Sequence, residues 1–173
     1  GLPKGVMLTY DNLNNMVFNQ INIFNIKQDS HVLQFASYIF DASVSELFTT
    51  LVVGSELYIV PELVRKDYKL LFNFLETNKI NIATLPPALL TTAEYVNLPN
   101  LQSLIIAGES CSQEIMDLWS NDRLFINAYG PTESTVCATL HKHKKDDLNT
   151  NIGKPLNNIR TYVLDEYSQP VPI

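Results

Sequence analysis

The residues best equipped for chemistry are Asn127-Ala128-Tyr129-Gly130-Pro131-Thr132-Glu133. The Asn127 amide can read a donor and acceptor edge, and the Tyr129 ring can lie against a flat heterocycle. Glu133 is a hard oxygen ligand of the kind Mg²⁺ takes beside phosphates, with the Thr132 hydroxyl next to it. Gly130-Pro131 forces a turn, since proline gives a ladder no N–H and glycine tolerates unusual backbone angles. The same residues also suit an ordinary turn in which Thr132 caps a helix and Glu133 favours its first turn. Two smaller clusters invite the same double reading. Asp41, in Phe40-Asp41-Ala42-Ser43, is a short acid whose simplest role is an N-cap. In Gly108-Glu109-Ser110 the glycine permits close approach of backbone and ligand, while Glu109 also suits an exposed acid near a helix start.

The elements around these clusters follow from apolar periodicity. Leu124-Phe125-Ile126 reads as a buried strand, which sets the 127–133 loop at a strand's carboxyl end, where open α/β sheets bind ligands. Thr9 and Asp11 offer caps to a helix through Leu13, Met16, Val17, Gln20, Ile21 and Phe24. Strands are expected at residues 32–36, 56–60, 80–84 and 101–107. Helices are expected from Phe40 through Leu51, over 68–78, from Pro86-Pro87, and around Ile115, Leu118 and Trp119. Strand and helix alternate with short connections, which predicts an α/β fold: a mostly parallel sheet with helices on both faces. After Glu133 the pattern changes, and residues 135–141 and 160–164 read as further strands. The division is therefore an α/β core over 1–134 and the start of a β-rich portion over 135–173. The basic stretch 141–147 reads as a solvated loop.

Composition sets limits. A chain of 173 residues supports one compact domain. A formal charge of -6 argues against a nucleic-acid surface, and no apolar run is long enough to cross a bilayer. Cys111 and Cys137 have no metal-type spacing, and with no signal peptide in view they read as thiols in a cytoplasmic protein. His31, His141 and His143 lack a Cys or acidic partner at ligand spacing, so a metal site is not expected there.

The string Asn-x-Tyr-Gly-Pro-Thr-Glu resembles the adenine- and Mg²⁺-binding signature of the adenylate-forming enzymes, in the form typical of nonribosomal peptide synthetase adenylation domains. The resemblance covers essentially the whole chain. It implies a fragment of the large N-terminal subdomain, truncated at both ends. Gly1-Leu2-Pro3-Lys4-Gly5 resembles the last third of the phosphate loop, with Lys4 its remaining charge. The ribose-binding aspartate and the mobile subdomain with the catalytic lysine would lie beyond residue 173, so no catalytic residue is assigned here and little activity is expected of the chain alone. Lys4, Gly108, Glu109, Ser110, Asn127, Ala128, Tyr129, Gly130 and Thr132 would meet the nucleotide, and Glu133 the metal. The cofactors implied are ATP, Mg²⁺ and a phosphopantetheine on a partner carrier domain. The partners implied are an amino acid and the carrier and condensation domains of a parent synthetase, with no nucleic acid and no membrane.

By the same resemblance, Asp41 binds the α-ammonium of an amino acid, a cation too costly to bury without an opposite charge. Phe40, Asp41, Ala42, Ser45, Thr84, Ile105, Ala107, Ala128, Val136 and Cys137 would form the substrate pocket. One acid stands at its mouth, and no charge is expected deep inside. Ala42, Ala107 and Ala128 leave room for a large, flat side chain, and the set resembles those of domains activating phenylalanine or tyrosine. Ser45 stands where phenylalanine-specific relatives often carry tryptophan, giving a deeper and mildly polar floor. Two alternatives are an acyl- or aryl-coenzyme A ligase of the same superfamily, which has no need of Asp41, and a non-catalytic scaffold module.

Overall fold

The computed structural model describes residues 5–171, so Lys4 lies outside the described residues. Its centre is a seven-stranded sheet. The strands are β1 (His31–Gln34), β2 (Glu56–Ile59), β3 (Ile82–Leu85), β4 (Ser103–Ala107), β5 (Leu124–Tyr129), β6 (Thr139–His143) and β7 (Lys154–Pro155). They lie side by side in the order β2-β1-β3-β4-β5-β6-β7. The first five pair parallel, whereas β6 and β7 run antiparallel.

The helices are α1 (Tyr10–Phe24), α2 (Ala42–Val53), α3 (Glu62–Arg65), α4 (Tyr68–Thr77), α5 (Pro87–Thr92) and α6 (Gln113–Trp119). Thr9 caps α1 in a capping box: its Oγ1 accepts from the Asn12 N–H at 3.2 Å, and Asn12 Oδ1 accepts from the Thr9 N–H at 3.1 Å. Asp11 lies in the first turn, where its charge favours the positive end of the helix dipole. Asp67 caps α4 by accepting from the Lys69 and Leu70 N–H groups.

Each central strand splits its residues between two cores, because successive side chains point to opposite faces. Val32, Ile82, Ile105 and Ile126 join Met16, Val17, Ile21 and Phe24 of α1. Leu33, Ala83, Leu104, Ile106 and Phe125 join Leu71 and Leu75 of α4, Leu90 of α5, and Met116 and Trp119 of α6. The parallel sheet covered on both faces is thus realised as its periodicity predicts. Because β1 is flanked by β2 on one side and β3 on the other, the chain reverses its winding direction at β1. A crevice opens at such a switch point, beyond the carboxyl ends of the strands.

Three local expectations change. Residues 160–164 form no strand; Tyr162 and Val163 are exposed, and only an isolated bridge joins Leu164 to Pro170. The segment expected as a strand over 135–141 starts later, because Thr135 and Val136 are both left-handed, with φ of 62° and 68°. His141 and His143 accordingly belong to β6 rather than to a solvated loop, and His143 is buried. No helix among the described residues is long and apolar enough to cross a membrane.

Candidate functional site

A cavity of about 540 Å³ opens at the carboxyl ends of β1, β3, β4 and β5. That volume is in the range of small-molecule sites. Phe35 and Ala36 follow β1, Thr84 and Leu85 end β3, Ala107 ends β4, and Ala128 lies near the end of β5. The turn into α2 adds Phe40, Asp41 and Ala42, the 108–109 turn adds Gly108 and Glu109, and the returning chain adds Gly130 and Val136.

Of the residues assigned to an amino-acid pocket, Phe40, Asp41, Ala42, Thr84, Ala107, Ala128 and Val136 border this cavity. Ser45, Ile105 and Cys137 do not border it; they are buried one layer behind the wall, at 7%, 1% and 2% exposure. Of those assigned to a nucleotide, Gly108, Glu109, Ala128 and Gly130 border the cavity and Ser110 does not. Tyr129 is exposed at the end of β5. Asn127 is buried, and its Nδ2 donates to the Asn151 carbonyl at 3.0 Å, so half of its amide is committed within the protein. Glu133 is exposed and borders two further hollows, one shared with Asp11, Asn12 and Asn158, the other with Asp41 and Thr132.

The aspartate and the loop are physically joined. Asp41 occupies the N-cap position of α2, yet its backbone is helical and its side chain makes no capping bond. Instead Thr132 Oγ1 donates to Asp41 Oδ2 at 2.6 Å, across 91 residues of chain. Thr132 likewise caps nothing: residues Thr132–Ser134 form a single 3-10 turn whose N-cap is Pro131. The ordinary-turn alternative for both residues is therefore not the one the fold adopts. The second Asp41 oxygen is reached by no donor among the described residues, and Asp41 borders the cavity.

Close backbone approach shapes the loop. A Cβ on Gly130 would stand 2.5 Å from the Ala138 nitrogen and 2.7 Å from the Cys137 Cα, so only glycine fits against the returning strand. The Ala138 N–H donates to the Tyr129 carbonyl at 2.8 Å and clamps that approach.

The expectation of a pocket without inner charge is overturned. Glu46 and Arg65 both border the cavity. Glu46 is 4% exposed, and its carboxylate accepts from the Phe35 and Ala36 N–H groups at 3.1 and 3.0 Å and from Gln34 Nε2 at 3.3 Å. Burial nevertheless pushes its pKa up to about 7, outweighing those hydrogen bonds and the nearby Arg65 charge. Arg65 stacks over the Phe35 ring with its guanidinium carbon 6.0 Å from the centroid and pairs with Glu62 at 3.0 Å. Glu46 was findable from helical spacing, because it lies four residues after Ala42 and so on the same side of α2. Arg65 was not, since the single-turn α3 carries no periodicity to orient it.

Gln20 is a second residue that pattern reading passed over. It interrupts the apolar stripe of α1 yet is 2% exposed, and its Oε1 accepts a hydrogen bond from Ser45 Oγ. Burial pushes the Cys137 thiol up to about 11, opposed by hydrogen bonding with the Gln20 side chain and with the backbone of Tyr129 and Thr139, whose carbonyls accept from Sγ, and it pushes the Cys111 thiol up as well.

The histidines have acidic partners that sequence spacing did not reveal. His141 Nε2 lies 2.9 Å from Asp147 Oδ2, and His143 Nε2 lies 3.1 Å from Asp117 Oδ1 on α6. Ligand-type atoms of His141, His143 and Asp147 gather within 4.8 Å of one another. Each imidazole is engaged by a carboxylate, and the pairs tie β6 to α6 and to the turn after β6.

Comparison with known proteins adds to this geometry. The family described as AMP-binding enzyme matches residues 1–173. Bacitracin synthase 3 of Bacillus licheniformis is 41% identical over 172 residues, covering 99% of this chain and 3% of that protein. Tyrocidine synthase 2 of Brevibacillus parabrevis is 37% identical over 171 residues, covering 98% of this chain and 5% of its own length. Among solved structures, holo-AB3403, a four-domain nonribosomal peptide synthetase bound to AMP and glycine, superimposes with a TM-score of 0.89 at 26% identity. That match covers 98% of this chain and 13% of that one, so the chain spans a small part of each of these proteins.

Proposed function

Since this chain belongs to the AMP-binding enzyme family and is similar to nonribosomal peptide synthetase adenylation domains, we propose that it is the part of such a domain that holds the amino acid and the adenine nucleotide. The reaction is amino acid plus ATP giving aminoacyl-adenylate and pyrophosphate. In the parent protein the aminoacyl group then passes to a phosphopantetheine thiol on a carrier domain, next to a condensation domain. The amino acid is a large aromatic one, phenylalanine or tyrosine.

One observation carries the reading. The Asp41 carboxylate borders the same 540 Å³ cavity as Ala128 and Gly130 of the loop, and it is hydrogen-bonded to Thr132 in that loop. An α-ammonium at the free oxygen of Asp41 is neutralised at the mouth, where an unpaired buried cation would be prohibitive. The loop sits on the same rim, so the substrate carboxylate is held toward the nucleotide, and most of the catalysis is alignment plus neutralisation of developing charge. Ala42, Ala107 and Ala128 leave the cavity wall mostly apolar, which suits an aromatic ring, while the two charged groups that also border it are already engaged, Glu46 by the Phe35 and Ala36 N–H groups and Arg65 by Glu62. Glu133 fits a divalent cation: its carboxylate is exposed, faces two hollows beside the loop, and has no hydrogen-bond or ion-pair partner among the described residues. Mg²⁺ there would neutralise phosphate charge.

Amino-acid-dependent exchange of pyrophosphate into ATP, measured with the full-length protein, tests this. Phenylalanine or tyrosine is expected to support exchange and phenylpropionate is not, with Asp41→Ala reducing the amino-acid reaction by about a hundredfold or more, on the scale of an unpaired buried charge. Equal exchange with phenylpropionate, indifferent to Asp41, would overturn it.

A further inference from the structure

His141 and His143 stand two residues apart on β6, so their side chains leave the same face of the sheet. That face meets α6, and the turn after β6 folds back beside it. Lys144 N–H donates to Asp147 Oδ2 at 2.9 Å, and Asp147 N–H donates to the Lys144 carbonyl at 3.0 Å, which closes the turn. Gln113 of α6 ties turn and helix together, its Nε2 donating to the Asp147 carbonyl at 2.8 Å and to Asp117 Oδ1 at 3.1 Å. Two imidazoles and two carboxylates, from a strand, a turn and a helix, are thereby brought to one place.

Hydrogen bonding alone accounts for only part of this arrangement. His141 Nε2 has Asp147, and His143 Nε2 has Asp117. The His143 side chain is wholly buried, however, and its Nδ1 has no hydrogen-bond partner among the described residues. An orphaned nitrogen shut away from water is costly unless something other than a protein donor or acceptor meets it. The two rings also converge, with centroids 6.2 Å apart, and one nitrogen from each lies with an Asp147 oxygen inside a 4.8 Å span. Ligand atoms held about 2.1 Å from a tetrahedral ion stand about 3.4 Å from one another, so the widest pair needs to close by at most about 1.4 Å, which side-chain rotation supplies.

We infer that His141, His143 and Asp147 bind a transition-metal dication of the Zn²⁺ class, through one ring nitrogen from each histidine and one carboxylate oxygen, with water as the fourth ligand. Imidazole donors favour Zn²⁺, Co²⁺, Ni²⁺ or Cu²⁺ over Mg²⁺, which takes oxygen and suits Glu133 instead. Asp117 is a positioning residue that holds the His143 ring through Nε2. The Asp147 side chain is 33% exposed, which gives an ion its way in. The bound ion joins β6 to the turn after it and, through Asp117, to α6. His141 lies opposite Asn127 in the β5–β6 register, so the strand it steadies is the one that backs the 127–133 loop. None of the four residues borders the amino-acid cavity, and the site stands whether or not that reading does.

The test is equilibrium dialysis of the full-length protein against micromolar Zn²⁺, with millimolar Mg²⁺ present to fill oxygen-rich sites. The wild type is expected to hold one Zn²⁺ per chain more than His141→Gln or Asp147→Asn, and Asp117→Asn to keep that ion with an affinity lowered by about tenfold or more. Glu133→Ala is expected to bind Zn²⁺ as the wild type does, which separates this site from the one beside the loop. Equal Zn²⁺ stoichiometry in the wild type, His141→Gln and Asp147→Asn overturns the inference, and so does loss of the same ion in Glu133→Ala. If His141→Gln has lost its cooperative unfolding transition, Asp147→Asn decides, because it keeps the shape of a side chain in an outlying turn: one ion fewer supports the site, and an unchanged count overturns it.

Discussion

A carboxylate with three N–H donors around it is ordinarily held in its ionised form; Glu46 goes the other way because it is almost wholly buried. Its pKa of about 7, against 4.5 for the free group, means that the folded protein binds a proton between those values that the unfolded chain has released. Stability from this group is therefore full below about pH 4.5 and is lost as pH rises toward 7, by an amount on the order of 3 kcal/mol. Urea unfolding between pH 4.5 and 8 is expected to show this decline in the wild type, and Glu46→Gln should flatten it; an unchanged slope in the variant would assign the decline elsewhere. The thiols give a simpler expectation. With Cys137 raised to about 11 and Cys111 also raised, neither is a thiolate at neutral pH. Iodoacetamide should label both only at the rate of unfolding, and prompt native-state labelling would contradict the burial.

At the scale of elements, the alternation of Leu104, Ile105 and Ile106 between two cores shows why the sheet was legible in the sequence. Each strand buries both faces, so its apolar run is continuous and its ends are marked by Gly108 or Pro86. What was illegible depended on contacts made far along the chain. Tyr162 and Val163 are good strand formers, but among the described residues they gain no neighbouring strand. The cap role open to Asp41 could not be weighed against Thr132, 91 residues away, until both were placed. Gln20 looked like a polar residue on a helix, and nothing local announced Ser45 as its partner. The junction of β5 and β6 carries a sharp requirement, since any Cβ at residue 130 meets backbone rather than a side chain that could swing aside. Gly130→Ala is expected to lower stability by about 1–3 kcal/mol, the usual cost of overpacking, measurable as a lower urea midpoint with unchanged m. A midpoint within error of the wild type would show that β6 can shift.

For the molecule as a whole, the outer surfaces of α1 and α2 matter most. Phe18, Phe48, Leu51 and Val52 are 55%, 43%, 60% and 52% exposed there, on two helices that pack side by side. Exposed apolar side chains gathered on neighbouring helices favour association. The 173-residue chain by itself should bind a hydrophobic dye and self-associate in light scattering as concentration rises. Monomeric scattering without dye binding would show that these side chains fold away. The consecutive left-handed residues Thr135 and Val136 bear on a different question, how such a protein changes over generations. A β-branched side chain in that conformation is costly, and Val136 also forms part of the cavity wall. Mutational drift there toward asparagine or glycine relaxes the backbone while reshaping what the cavity admits. The shape of the cavity can therefore change at this position without the loss of stability that usually constrains such changes, which leaves this part of the wall free to wander.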